Sequence, residues 1–226
     1  MNSLKEMSLK STSNWILPKE KIDDGDIAGY VISKRGFDKE KFLNPSLDDI
    51  PSFKYMYDSS NAAKSIVNAI KSKKRIVIHG DFDADGICAV SILWEFLYKE
   101  VSRELGIDVN VLPYIPSRVE QGYGLTESSL NDVIELGADL VITVDCGVRD
   151  RELINKYMED RGLEFVVTDH HQPPADLKDT PGYPLVHPMY PKHEYPYQTV
   201  CGSFVIFSLV QAIKHELKMD ENISVD

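Results

Sequence analysis

Three short runs of aliphatic and β-branched residues punctuate the chain: RIVIH at 75–79, LVITV at 140–144 and FVVT at 165–168. Near-continuous apolar runs of this length, without polar alternation, suit strands buried on both faces, and helical patterns separate them. The spacing predicts strands Arg75–His79, Val109–Ile115, Leu140–Val144 and Phe165–Thr168, with a short strand at Leu185–Val186. Helices are expected over Gly86–Lys99, Glu127–Leu136 and Arg149–Asp160, after one that Ser60 caps and that runs to about Ser72, and a last one from about Ser203 to Leu217. Strand and helix in alternation dictate an α/β fold: a mostly parallel sheet with helices on both faces. Residues 1–58 lack this regularity and are expected as a partly irregular N-terminal lead-in, with 59–226 as the α/β domain.

The polar residues follow the same rhythm. HGDFDADG at 79–86 places His79, Asp81, Asp83 and Asp85 after the first strand, and Ser117, Arg118 and the GYG turn at 122–124 follow the second. Asp145 ends the third, Asp169, His170 and His171 end the fourth, and His187 follows the last. In open parallel sheets the loops beyond the carboxyl ends of the strands converge on the ligand site. Each residue has an ordinary explanation by itself: Asp83 or Asp85 can cap a helix, Asp145 can belong to a turn, His171 can be a surface histidine. Independent capping does not explain why acid and imidazole collect at one edge.

Three carboxylates within five residues repel one another unless cations lie between them. An oxygen-rich set with some imidazole suits Mn²⁺ or Mg²⁺, with imidazole favouring Mn²⁺, and the lack of suitably spaced thiolates argues against structural zinc. Two such ions roughly 3.5–4 Å apart stabilise charge on a phosphoryl oxygen during in-line attack.

Charge and composition narrow the rest. A net charge of −11 argues against a surface that coats nucleic acid by itself, though not against metal-assisted chemistry on phosphates. The cysteines, Cys88, Cys146 and Cys201, are odd in number and far apart, so neither a disulfide framework nor a zinc knuckle is expected. No run approaches the roughly 20 apolar residues of a membrane span and the polar start lacks a signal-peptide core, so the expectation is a cytoplasmic protein with no membrane partner.

HGDFDADG, VDCG and TDHH, in this order and with PSR and GYGL between them, resemble the DHH phosphoesterase superfamily. RGFDKEKFLNPSLDDI in the lead-in, YIPSRVEQGYGLT and CGSFVIFSLVQAI are similar to its RecJ family, single-strand-specific DNA exonucleases that act from the 5′ end. The resemblance covers about Val31 to the C-terminus. It implies a metal-dependent phosphodiesterase of DNA repair and recombination with two Mn²⁺ or Mg²⁺ ions, single-stranded DNA as substrate, and a single-strand-binding protein or a helicase as partner. It further implies His79, Asp83 and Asp145 on one metal, and Asp85, Asp145 and His170 on the other, with Asp145 bridging. Asp81 becomes a helper or further ligand, and Asp169 orients an imidazole. His171 faces the scissile phosphate as electrostatic stabiliser or acid, Arg118 clamps a phosphate oxygen, and Tyr123 and His187 contact substrate. Family members continue into a further metal-ligand Asp and a second domain with a glycine-rich, His-bearing motif. No counterpart follows Leu217, so the expectation is a C-terminally truncated catalytic domain lacking the substrate-binding domain. Two rivals stay open at this stage: a phosphoesterase for short oligonucleotides, cyclic dinucleotides or pyrophosphate, and a non-catalytic nucleic-acid-binding module.

Overall fold

A computed structural model describes residues 25–175, 177, 181–191 and 195–219. Its contacts divide the chain into two units, 1–50 and 51–226. In the first, α1 (Ile27–Lys34) starts at Asp26, whose carboxylate accepts the Gly29 N–H and pairs with Lys39, and α2 (Lys39–Leu43) is capped by Asp38. Residues 51–58, counted with the lead-in above, belong to the second unit, where Met56 is buried in the core.

The second unit is built on a five-stranded, all-parallel sheet in the order β2-β1-β3-β4-β5. Its strands are β1 (Ile76–Gly80), β2 (Val111–Tyr114), β3 (Leu140–Val144), β4 (Glu164–Thr168) and β5 (Leu185–Val186). The helices are α3 (Ser59–Lys71), α4 (Ala84–Glu95), α5 (Ser102–Leu105), α6 (Glu127–Glu135), α7 (Arg151–Arg161) and α8 (Gly202–Leu217). Among the described residues no helix is long and apolar enough to cross a membrane.

Alternation along the strands sorts their side chains into two cores. Ile76 and Ile78 of β1 and Leu140, Ile142 and Val144 of β3 pack with α3, α4 and α8. Val77, Val141, Phe165 and Val167 pack on the opposite face with Leu130 and Val133 of α6 and Ile154 and Tyr157 of α7. From β1 the chain moves outward through α4 to β2, then returns past β1 through α6 to β3 and continues to β4. Reversing direction under right-handed crossovers puts the connecting helices on opposite faces, and the loops after β1 and β3 diverge into a crevice.

The expected helix Gly86–Lys99 differs in form. It starts two residues earlier, at Ala84, because Asp83 is its N-cap, and it passes at Phe96–Val101 into a π-helical turn that runs on into α5. Phe96, Leu97 and Val101 are all buried, so the wider turn keeps this segment's apolar residues on the core. α3 begins at Ser59 after Asp58, which makes no side-chain cap, so Ser60 does not cap it.

Candidate metal centre

Register brings the acids together before any side chain is considered. Gly80 pairs with Val144, and Val144 with Thr168, so Asp81, Asp145 and Asp169 leave three adjacent strands at the same level. Adjacent strands lie about 4.8 Å apart, and all three carboxylates are buried, at 4%, 1% and 1% exposure. Three buried acids side by side demand compensation.

Asp169 has it from the protein. Its Oδ1 accepts the His170 N–H at 2.7 Å, the His171 N–H at 3.0 Å and His171 Nδ1 at 2.8 Å, while Oδ2 accepts the Val148 N–H at 2.9 Å. Burial raises its pKa, but these donors outweigh burial and hold it below the ordinary carboxylate value. Asp169 thereby fixes the 169–171 turn and orients the His171 ring. The same bond to Asp169 raises the pKa of His171.

Asp145 lacks that compensation. Its backbone takes a left-handed φ of 62°, in a turn where Thr143 Oγ1 donates to the Cys146 carbonyl and Gly147 takes φ 110°. A side chain at Gly147 would stand 2.8 Å from Thr143 Oγ1. Strained backbone of this kind persists where the surroundings over-determine it, and it clusters at functional sites. The buried Oδ1 of Asp145 receives no aligned hydrogen bond, although His170 Nε2 stands 3.0 Å away as an ion-pair contact. Burial raises the Asp145 pKa, and Asp145 in turn raises that of His170.

Asp145 is the member shared by two groups of donor atoms that lie within 4.8 Å of one another: Asp81, Asp83 and Asp145, and Asp145, His170 and His171. An octahedron with bonds of about 2.1 Å puts adjacent donors about 3.0 Å apart, so the approach of His170 to Asp145 suits two ligands of one ion. His170 Nε2 also lies 3.6 Å from Asp85 Oδ2. The orphaned buried oxygen and the carboxylate-imidazole donor set fit Mn²⁺ or Mg²⁺.

Two expected site residues sit elsewhere. His79 shares a face with Val77 by strand alternation, so its ring turns under α6 instead of into the crevice. It is fully buried, with Nε2 3.1 Å from Ser129 Oγ and Nδ1 3.9 Å from Cys146 Sγ, and it belongs to neither donor group. Burial lowers its pKa to about 4, so the ring is neutral. His187, expected to contact substrate, has no exposed surface. Its Nδ1 accepts the Met189 N–H at 3.0 Å, which leaves Nε2 to donate to the His171 carbonyl at 2.8 Å. The Nε2 bond braces the 169–171 turn from behind while the Nδ1 bond ties the ring to its own loop, and burial lowers this pKa as well.

Arg118 and Tyr123 stand at the open side. The Arg118 guanidinium lies over the ring of Phe82, the residue between Asp81 and Asp83 in sequence, at 5.1 Å from the ring centroid. Tyr123, 52% exposed, puts its hydroxyl 3.0 Å from His171 Nδ1 and its ring edge-on to the imidazole at 5.5 Å. Burial, reinforced by Asp169 and neighbouring acids, pushes its pKa far up, so the hydroxyl keeps its proton.

Phe82 under Arg118, Ser129 against His79, and Gly202 and Ser203 beside Asp85 are contacts that sequence reasoning did not assign. Only the last left a trace in the sequence, a Gly-Ser pair opening an apolar helical run.

The pattern of the DHH family, N-terminal domain, matches residues 75–225. A single-stranded-DNA-specific exonuclease RecJ from Bacillus subtilis is 33% identical over 195 residues, which are 84% of this chain and 24% of that protein. A crystal structure of exonuclease RecJ bound to manganese superposes with a TM-score of 0.61 at 32% identity, covering 74% of this chain and 40% of the other. RecJ from Thermus thermophilus in complex with Mn²⁺ gives a TM-score of 0.61 at 28% identity, over 86% of this chain and 26% of that one. The chain thus spans about a quarter of the length of the curated relative it matches.

Proposed function

Because this chain belongs to the DHH family, we propose that it is the catalytic portion of a metal-dependent phosphodiester hydrolase, a RecJ-like exonuclease that degrades single-stranded DNA from the 5′ end. The observation that carries the reading is the buried, unbonded Oδ1 of Asp145 at the junction of the two donor groups. Similarity to exonucleases named for single-stranded DNA, and to RecJ structures holding manganese, supports the choice of substrate and ion.

In this reading Asp81, Asp83 and Asp145 hold one ion, and Asp145, His170 and Asp85 the other. When bound, the two ions stabilise negative charge building on the phosphoryl oxygens during in-line displacement. The chain's own residues do the rest. Asp169 keeps His171 at a fixed angle and favours its charged form, so that His171 faces the phosphate with positive charge or a proton on its ring. Arg118, held on Phe82, offers its fork of donors to a phosphate oxygen. Tyr123 supports His171 and lies open to a passing base.

The same reading puts the protein in the cytoplasm, in DNA repair and recombination, where a helicase or a single-strand-binding protein would present the strand. The test is hydrolysis by the full-length gene product of 5′-labelled single-stranded DNA, duplex DNA, dinucleotides and pyrophosphate, with Mn²⁺ or Mg²⁺. Metal-dependent release of nucleotides from the 5′ end of single strands alone supports the proposal. Preference for dinucleotides or pyrophosphate replaces it with a small-substrate phosphoesterase, and DNA binding without any hydrolysis replaces it with a binding module.

A further inference from the structure

Asp85 opens α4, yet its carboxylate serves the start of α8, 117 residues away in sequence. Oδ2 accepts the Gly202 N–H at 2.6 Å, and Oδ1 accepts the Ser203 N–H at 2.8 Å and the Ser203 hydroxyl at 2.6 Å. The N-cap position of α8 is Cys201, which makes no side-chain cap, so Asp85 supplies what the local sequence does not. These donors hold the Asp85 pKa down against the opposing effect of burial.

The same turn touches a second acid. A Cβ built on Gly202 would stand 2.5 Å from Asp145 Oδ1 and 2.7 Å from its Cγ, so only glycine lets α8 approach this closely. Asp85 and Asp145 therefore rest on one helical turn, and His170 Nε2 faces both. A carboxylate offers about four acceptor sites, and α8 occupies three of those on Asp85. The capacity that remains lies on Oδ2, the oxygen nearer to His170.

We infer that Gly202 and Ser203 are positioning residues of the metal centre: the first turn of α8 aims the free edge of Asp85 toward the ion shared with Asp145 and His170. The inference rests on the metal-dependent reading above and extends it to a helix that contributes no ligand. Groups that orient a metal ligand in this way commonly alter affinity by roughly 10–100-fold when removed.

A helix cap with no link to the metal would affect stability alone, so the test reads Mn²⁺ affinity on the full chain by calorimetric titration, alongside helix content and melting temperature. Ser203→Ala should raise the Kd for Mn²⁺ by roughly 10–100-fold, and Ser203→Thr, which keeps the hydroxyl, should return it close to the wild-type value. Gly202→Ala, which drives a methyl group into Asp145, should weaken Mn²⁺ binding at least as much while helix content is kept. Tyr157→Phe is the control: it removes a hydroxyl bonded to Glu127 and Asn131 on the α6–α7 face, and should lower the melting temperature without moving the Kd. Wild-type Mn²⁺ affinity in folded Ser203→Ala or Gly202→Ala overturns the inference alone. Failure of the wild-type chain to bind Mn²⁺ overturns the metal-dependent reading with it.

Discussion

His170 Nε2 lies 3.0 Å from the Oδ1 of Asp145, a buried oxygen that receives no aligned hydrogen bond. A buried carboxylate in that condition is costly to the folded protein in the absence of a cation, and becomes favourable once a cation neutralises it.

Asp145→Asn should therefore separate folding from metal binding. Asparagine tolerates the left-handed backbone at this position, so the metal-free variant is expected to melt at or above the wild-type temperature. Mn²⁺ at about 100 times its Kd should stabilise the wild type by about 2.7 kcal/mol and leave the variant unmoved. Melting curves with and without Mn²⁺ check both signs, and an equal rise in the two proteins would remove Asp145 from the ligand set.

The pH dependence of metal binding follows from the same pair. Asp145 raises the pKa of His170, and burial raises that of Asp145, so in the metal-free protein both protons persist to higher pH than usual. A cation must displace them, so Mn²⁺ affinity is expected to climb with pH until His170 has titrated, above the ordinary histidine value of about 6.5. His170→Gln should flatten the upper part of that profile. Titrations of both proteins across this range measure it, and parallel profiles would refute the assignment.

Asp169 makes the opposite contribution. Its folded pKa is lowered by His171, Val148 and the backbone of the turn, so its stabilisation is fully present above the unfolded value of about 3.9. It is lost as pH falls through the lower folded pKa. Asp169→Asn removes charge from a buried acceptor of four hydrogen bonds and should cost on the order of 3 kcal/mol at neutral pH. The stability difference should shrink as the wild type is acidified below about pH 4. Denaturant melts at several pH values test this, and a difference independent of pH would contradict it.

Arg118 and Phe82 should act together on substrate and leave the metal alone. Arg118→Ala is expected to raise KM for single-stranded DNA with Mn²⁺ affinity unchanged. Phe82→Leu should shift KM in the same direction by about 2–5-fold, since a cation–π contact at an exposed site contributes about 0.5–1 kcal/mol. If Phe82 acts through Arg118, the double variant will be no worse than Arg118→Ala. Additive losses would mean that the ring acts on its own.

Much of this was legible in the sequence because it is local. Val and Ile runs specify buried strands, the intervening periodicity specifies helices, and Asp or His at the strand ends falls where a parallel sheet must gather its loops. Hence 79–86, 145 and 169–171 could be assigned to one edge from the sequence alone. Tertiary structure decided which way each side chain turned. Strand parity sent His79 under α6 to Ser129, whereas Asp81, just past the end of β1, joins Asp83 and Asp145. β5 buried His187 behind the 169–171 turn, where both ring nitrogens are used. No local signal ties Asp85 to Ser203, because the cap joins residues 118 apart that meet only after α8 packs on α4. Which elements form depends on near neighbours along the chain, whereas the partner of a carboxylate depends on distant backbone that the folded sheet alone brings within hydrogen-bonding reach.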